Sequence, residues 1–209
     1  MINHRRRGLL QAAASSLALG VLPARAALAP TPRQTVGPFY PQQLPLDHDN
    51  DLVRIHGRAN AALGEVSHLS GRVLDMQGQP LAHTRVEIWQ CDAQGFYHHA
   101  DDRGRAAPDG GFQGFGQTLT DVQGRYRFRT IKPVPYPGRT PHIHAQVVPA
   151  SGRPFATQIY IRGHAANEKD FLFSRLDVAE RKRVEAAFER WDGDDAIWTA
   201  RFDLVVPGT

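Results

Sequence analysis

The sequence predicts an all-β fold: a β-sandwich with short helices and an irregular N-terminal arm. Apolar and polar residues alternate with a period of two in several short runs from Ser70 onward. Turn signals separate these runs at the spacing expected of a sandwich. A single stretch near the C-terminus has a helical period. A chain of 209 residues accommodates one domain with a substantial core, and not two ordinary ones.

In chain order, residues 1–26 are expected to be a leader rather than part of the domain. Arg5, Arg6 and Arg7 precede an apolar run from Leu9 to Leu22, and Ala24-Arg25-Ala26 offers small residues at the spacing a signal peptidase reads. This resembles a twin-arginine signal peptide, which implies export to a bacterial periplasm. The apolar run contains Ser15, Ser16 and Gly20 and is shorter than the ~20 residues of a spanning helix, so no membrane span is expected after processing. The twin-arginine route is used for proteins folded before export, often with a cofactor bound, which gives some support to a metal site.

The leader also accounts for the basic balance. Of the 25 Lys and Arg residues, Arg5, Arg6, Arg7 and Arg25 lie in the leader, which has no acid, so the remainder balances the 21 Asp and Glu residues. A nucleic-acid partner needs a basic excess on the folded domain, and that reading is discarded. Cys91 is the one cysteine, which rules out an intrachain disulfide and any zinc site needing two thiolates from one chain. It is expected to be a small buried residue.

Residues 27–69 read as an arm and connector, with the proline-rich stretch Pro30 to Asp51 laid over the domain. Residues 70–209 read as the sandwich. "GRVLDMQGQPL" is a strand closed by a Gln-Gly-Gln-Pro turn, and "TRVEIWQ" alternates Val86 and Ile88 against Arg85, Glu87 and Trp89. In "TDVQGRYRFRT", Asp121 to Gly124 forms a turn, after which Tyr126, Phe128 and Thr130 face away from Arg125, Arg127 and Arg129. "HIHAQVV", "TQIYIR" and "RFDLVV" supply further strands. "LDVAERKRVEAAFERW" predicts a surface helix, with Val184, Ala187, Phe188 and Trp191 on its packed stripe and Asp177 as N-cap.

The chemistry concentrates in "PVPYPGRTPHIHAQV", residues 133–147. Strand residues two apart share a face, so His142 and His144 present two imidazoles side by side. The pair alone describes two solvent-facing histidines as well as it describes a metal site. A cupin would add a nearby glutamate, but Ala-Gln-Val-Val-Pro-Ala-Ser-Gly follows His144 and the next carboxylate is Glu168. The same gap weakens a two-histidine, one-carboxylate iron(II) triad.

Tyrosine is the alternative source of anionic oxygen. A free phenol has a pKa of about 10, which a highly charged cation lowers strongly. Prolines on both sides of Tyr136 stiffen its backbone and reduce the entropy lost on fixing the ring. Tyr97, in "CDAQGFYHHADD", is a second candidate, in a loop just after the strand ending at Gln90. Two phenolates and a hydroxide match the charge of iron(III), two neutral imidazoles complete five-coordination, and a divalent metal would leave the site negative. The set favours ferric iron over zinc.

These residues resemble the intradiol ring-cleavage dioxygenases, in particular the protocatechuate 3,4-dioxygenase branch, over nearly all of the mature chain. "TPRQTVGPFYP", "GRVLDMQGQPLAHTRVEIWQCDAQGFYHHADD", "TDVQGRYRFRTIKPVPYPGRTPHIHAQV" and "TQIYIRG" carry the resemblance. It implies a mononuclear non-haem Fe(III) held by Tyr97, Tyr136, His142 and His144, with Tyr97 the lasting phenolate and Tyr136 the one released when substrate binds. It places Arg139 beside the ring being cleaved and Gln158 in the pocket. It further implies a catecholic substrate and O2, ring opening between the two hydroxyl-bearing carbons, and a cis,cis-muconate-type dicarboxylic acid as product.

"TVGPF" resembles the arm lining the pocket in the family's non-catalytic partner subunit, which makes Thr35 and Phe39 pocket candidates. Gly138 stands after Pro137 where protocatechuate enzymes usually carry an aromatic, and the segment from Tyr136 to His142 is short, which predicts a more open mouth. The helical dimerisation segment of the catechol 1,2-dioxygenase branch does not appear. Assembly as a homo-oligomer or with a partner subunit is left open. "GRVLDMQGQPL" with "TRVEIWQ" also resembles transthyretin-like sandwiches that only bind ligands, so a non-catalytic binding module or structural subunit is the alternative. Retention of Tyr97, Tyr136, His142 and His144 together separates the two in favour of catalysis.

Overall fold

The computed structural model describes residues 27–99, 102 and 107–208; the leader expected over residues 1–26 lies outside them. Two five-stranded sheets pack face to face. In the first, β1 (Val66–Leu74) pairs antiparallel with β4 (Arg125–Ile131) and parallel with β9 (Asp194–Arg201) and β10 (Leu204–Val205), and β8 (Phe188–Trp191) closes the edge on β9. The second runs β3 (Phe115–Leu119), β2 (Arg85–Trp89), β5 (His142–Val148), β6 (Phe155–Ile161), β7 (Glu185–Ala186). Its pairs are antiparallel except β6 with β7. The all-β sandwich expected from the sequence is the architecture found.

The alternation read from the sequence sorts the core. Leu69 and Val73 of β1, Phe128 of β4, Val86 and Ile88 of β2, and Ile143, Ala145 and Val147 of β5 fill the space between the sheets. Full burial of each large aliphatic or aromatic side chain contributes roughly 1.5–3 kcal/mol. The arginines of β4 face outward as expected. In β2, however, Glu87 and Trp89 are also buried, on the face turned away from the core.

The N-terminal arm covers that outer face. It first bridges the edge of the sandwich, where Thr31 N donates to Val205 O (3.0 Å) of β10, Thr157 Oγ1 to Pro32 O (2.8 Å) and Gln34 N to Ala156 O (2.9 Å), and then crosses the outer face. The Tyr40 hydroxyl donates to Glu87 Oε2 (2.9 Å), which also accepts from Gln146 Nε2 (3.0 Å), while Arg85 Nε pairs with Glu87 Oε1 at 2.9 Å. A buried carboxylate thus has partners from arm, sheet and solvent edge, as a charge removed from water requires. The Tyr40 phenol is pushed up to about 12 by burial and by this carboxylate.

The helix expected over 176–191 is much shorter. Asp177 does cap it, in a reciprocal box in which Glu180 N donates to Asp177 Oδ1 and Asp177 N donates to Glu180 Oε2. The helix, α1 (Val178–Lys182), then stops, and β7 and β8 follow. Pairing explains the difference: Tyr160 N on β6 and Arg162 N just past its end donate to Val184 O and Ala186 O, so the chain completes a sheet edge that a helix would leave unpaired. Val184 and Ala186 are both buried with Glu185 between them, a period of two inside a stretch that also fits 3.6. Two strands absent from the sequence reading, β3 and most of β9, carry weaker alternation. Among the described residues no helix is long and apolar enough to cross a membrane.

Candidate metal centre

The pleat of β5 alternates Ile143, Ala145 and Val147 inward with His142, His144 and Gln146 outward, under the arm. Register places the outward residues in rows: His142 opposite Tyr160, and His144 between Trp89 on β2 and Gln158 on β6. Both imidazoles are almost fully buried. His142 Nδ1 lies 2.7 Å from Thr140 O, a contact that fixes the proton on Nδ1 and leaves a lone pair on Nε2. The His144 ring stacks on Trp89 at 4.8 Å and 7°. The two Nε2 atoms stand 3.3 Å apart. Nitrogens each about 2.0–2.1 Å from one metal and roughly at right angles would be separated by about 3 Å.

Burial, with the charge of Arg139 added, pushes His142 down to about 3. Burial, then His142 and Arg139, holds His144 well below its usual value. Both are therefore neutral at physiological pH, the form in which histidine ligates.

The two tyrosines arrive on loops. The Asp92 carboxylate organises the first, accepting from Gln94 N (2.9 Å) and Phe96 N (3.0 Å) through Oδ1 and from Asp109 N (2.8 Å) through Oδ2. Gly95 within it has φ +82, and a Cβ there would lie 3.2 Å from Pro135 O and 3.4 Å from Tyr136 Cβ, so glycine lets the two loops touch. Tyr136 sits in a tight turn in which Arg139 N donates to Tyr136 O (2.9 Å) across Gly138, at φ +81. The rings close a circuit: Tyr97 to Tyr136 at 5.4 Å, Tyr136 to His142 at 5.5 Å, His142 to His144 at 4.8 Å, and His144 to Tyr97 at 6.3 Å.

The Tyr97 hydroxyl is buried with no hydrogen-bond partner. Burial raises its pKa well above the ordinary value, with Cys91 and Tyr136 adding to the effect and Arg139 opposing it. Tyr136, only half-buried, is raised by burial, with Arg139 opposing. An orphaned phenol beside two neutral imidazoles is an arrangement that a strongly polarising cation would complete. Among the described residues no three His, Cys, Asp or Glu side chains cluster for a metal. The donors on offer are two nitrogens and two phenol oxygens, which fit ferric iron.

Arg139 leans over this set with 8 % of its side chain exposed. Nη1 points at the Tyr136 hydroxyl (3.4 Å), Nη2 donates to Gln158 Oε1 (2.5 Å) and approaches the Tyr160 hydroxyl (3.4 Å), and Nε donates to Asp170 Oδ2 (2.8 Å). Gln158 Nε2 reaches Thr35 O at 3.4 Å, so Thr35 meets the site through its backbone while its hydroxyl accepts from Gly37 N. Phe39 stacks on Tyr97 at 4.4 Å and 19° and meets Tyr136 edge-on at 6.1 Å. The structure thus gathers Tyr97, Tyr136, His142, His144, Arg139, Gln158, Thr35 and Phe39 in one place. Cys91 is buried nearby, its thiol pushed up to about 12 by burial and Asp92.

Sequence reasoning missed Trp89 as the platform under His144, Tyr160 beside His142, Asp170 behind Arg139, and Phe171, whose 53 % exposed ring lies 5.2 Å from the Arg139 guanidinium. Trp89 and Tyr160 could have been found from strand register. Asp170 and Phe171 lie in an irregular segment that carries no periodic signal. A cavity of about 730 Å³ adjoins the site and shares Phe39, Trp89 and Tyr97 as walls, but Tyr136, Arg139, His142 and His144 do not line it.

A sandwich that gathers two buried imidazoles, a buried phenol and a half-buried one on its arm-covered face defines a candidate tyrosinate-type metalloprotein. Residues 35–208 match the family model described as Dioxygenase. The protocatechuate 3,4-dioxygenase beta chain of Burkholderia cepacia is 40% identical over 173 residues, 78% of this chain and 73% of that protein. A hydroxyquinol 1,2-dioxygenase of Corynebacterium glutamicum is 30% identical over 82% of this chain, which spans 62% of that protein's length. Among solved structures, the dioxygenase domain of a dioxygenase carbohydrate-binding protein fusion from Streptomyces sp. SirexAA-E superposes with a TM-score of 0.66 at 27% identity, over 87% of this chain and 100% of that one. The chain belongs to the intradiol ring-cleavage dioxygenase family.

Proposed function

We propose that the protein is a non-haem iron(III) intradiol dioxygenase that opens a catecholic ring between its two hydroxyl-bearing carbons with O2, giving a cis,cis-muconate-type dicarboxylic acid. A protocatechuate-like catechol is the proposed substrate, on the strength of the identity to the Burkholderia cepacia beta chain. The observation that carries the reading is the closed circuit of Tyr97, Tyr136, His142 and His144 with no carboxylate in it. Ferric iron held by these four residues would supply a Lewis acid and electron acceptor able to make a bound catecholate reactive toward O2.

The chain's own residues divide the remaining work. Tyr97, buried and clasped by Phe39, is the phenol without room to leave. Tyr136, half-buried on a turn and 3.4 Å from Arg139 Nη1, can swing out, and if ferric iron held it as the phenolate its oxygen would be the acceptor for one catechol proton. Arg139 presents a fixed positive charge where negative charge develops on the ring, a preorganised role. His142 and His144 stay neutral, Trp89 covers one face of the His144 ring, and Phe39 covers Tyr97. The leader supports a companion proposal of periplasmic export. Replacing Arg5, Arg6 and Arg7 together with Lys should leave the protein unexported, and an unchanged periplasmic yield would remove the twin-arginine route.

The test is the visible absorption spectrum of the purified protein before and after anaerobic catechol, followed by product analysis under ¹⁸O2. A phenolate-to-iron(III) band that shifts with catechol, and a dicarboxylic acid carrying both oxygen atoms, are expected. A protein that stays colourless when ferric iron is supplied would return the case to a binding module.

A further inference from the structure

We infer that Asp170 is a positioning residue that aims Arg139 at the reacting ring and so sets turnover; this rests on the function proposed above. Its side chain has no exposed surface, and among the described residues Arg139 is the one cation within 4.0 Å of it. Oδ2 accepts from Arg139 Nε (2.8 Å) and Thr140 N (3.1 Å), and Oδ1 accepts from Leu172 N (3.0 Å) and Phe173 N (3.0 Å). One carboxylate therefore ties the 3₁₀ turns at 167–175 to the entrance of β5 while gripping the arginine between them.

A guanidinium is planar, so two fixed edges determine the third. Asp170 fixes Nε and Gln158 fixes Nη2, and Nη1 is left facing the Tyr136 hydroxyl. With Gln158 alone, Nη2 becomes a pivot about which Nη1 can swing away. Burial by itself would raise the Asp170 pKa, but hydrogen bonds from Arg139, Phe173 and Thr140 reverse this and hold it below the usual carboxylate value, so the clamp is charged at working pH.

Asp170→Asn separates the clamp from the cap. The amide that replaces the carboxylate can still accept from Leu172 N and Phe173 N through its oxygen, but its nitrogen then turns a donor toward the Nε–H of Arg139 and the N–H of Thr140. The iron-loaded D170N enzyme should lose about 10²-fold in kcat, the scale of a misplacement near 1 Å, while KM moves by less than about 3-fold, because the charge Arg139 meets appears only during reaction. In an Arg139→Gln background the same change should cost less than about 2-fold, as expected of residues acting as one unit. An assay free of turnover is the ¹⁵N-resolved Nε–H of Arg139 in the metal-free protein, assigned by its loss in R139Q. It should exchange slowly in the wild type and rapidly in D170N.

Three results would overturn the inference: D170N turning over within about 2-fold of wild type, an equal loss of kcat in both backgrounds, or a wild-type Arg139 Nε–H exchanging as fast as an exposed arginine. The last needs no folded D170N. A wild type that opens no catechol when iron-loaded would sink the function and the role of Asp170 together, whereas the other failures remove Asp170 alone.

Discussion

Replacing Tyr97 with Phe should make the metal-free protein more stable while abolishing its ability to hold iron. The Tyr97 hydroxyl is buried without a hydrogen-bond partner, and the ring is otherwise packed by Phe39 at 4.4 Å and by Tyr136. A buried polar group left unsatisfied costs about 1–3 kcal/mol, and Phe keeps the ring and removes that cost. A gain of about 1 kcal/mol corresponds to about 2–4 °C in Tm for a domain of this size. Calorimetry of metal-free wild type and Y97F measures this directly, and iron content with the visible band measures the other half. The metal's contribution to wild-type stability rises with its free concentration and should vanish in the variant. A metal-free Y97F protein less stable than wild type would mean that the hydroxyl is held in the ligand-free state, with Tyr136 the nearest candidate, and would refute the reasoning from an orphaned phenol.

Gly95→Ala should cost about 1–3 kcal/mol, because φ +82 is strained for alanine and its Cβ presses on the Tyr136 loop; urea unfolding reads the loss and iron content the disturbance. Tyr40→Phe should destabilise by about 1.5–3 kcal/mol through the lost hydrogen bond to the buried Glu87 carboxylate, and limited proteolysis should find the arm more readily cut. Acid should weaken the metal-free protein through His142. Its folded pKa of about 3 lies below the unfolded value near 6.5, so the unfolded chain binds more protons between these values. The stability is present above about 6.5 and lost as pH falls toward about 3, amounting to about 2 kcal/mol by pH 5. Denaturant midpoints at pH 7.5 and 5, in wild type and His142→Asn, check the sign, and a wild-type midpoint rising in acid relative to the variant would reverse it.

The sequence made the sheet residues legible wherever one face met the core. Tyr126, Phe128 and Thr130 could be assigned because the opposite face of β4 carries arginines in solvent. The same rule gives the pairing of His142 and His144 on one face, since the pleat allows no other placement. It fails for 183–191, where Val184, Ala187, Phe188 and Trp191 satisfy a helical stripe but the open edges of β6 and β9 select strands. Local pattern was ambiguous there and long-range hydrogen bonding decided. Asp170 was out of reach for another reason: its partner Arg139 lies 31 residues away, and nothing in an irregular segment marks an acid as destined for burial.

The placement of the site follows from which face of the second sheet is polar. A sandwich needs only the inner face of each sheet to be apolar, so an outer face bearing Glu87, Gln146, His142, His144 and Gln158 would ordinarily be left to water. Here the arm, the two tyrosine loops and the 167–175 segment cover it, and every one of these polar groups becomes buried. Glu87 and Gln146 then satisfy each other and Tyr40, and Gln158 is taken up by Arg139. The Tyr97 hydroxyl is left without a partner, and the Nε2 atoms of His142 and His144 have only each other, 3.3 Å apart. Groups that a solved hydrogen-bond network leaves over, gathered under one lid, are where an external ligand supplies what the chain does not. The stabilising network and the candidate centre are thus two parts of one polar face, and the arm that secures the first also encloses the second.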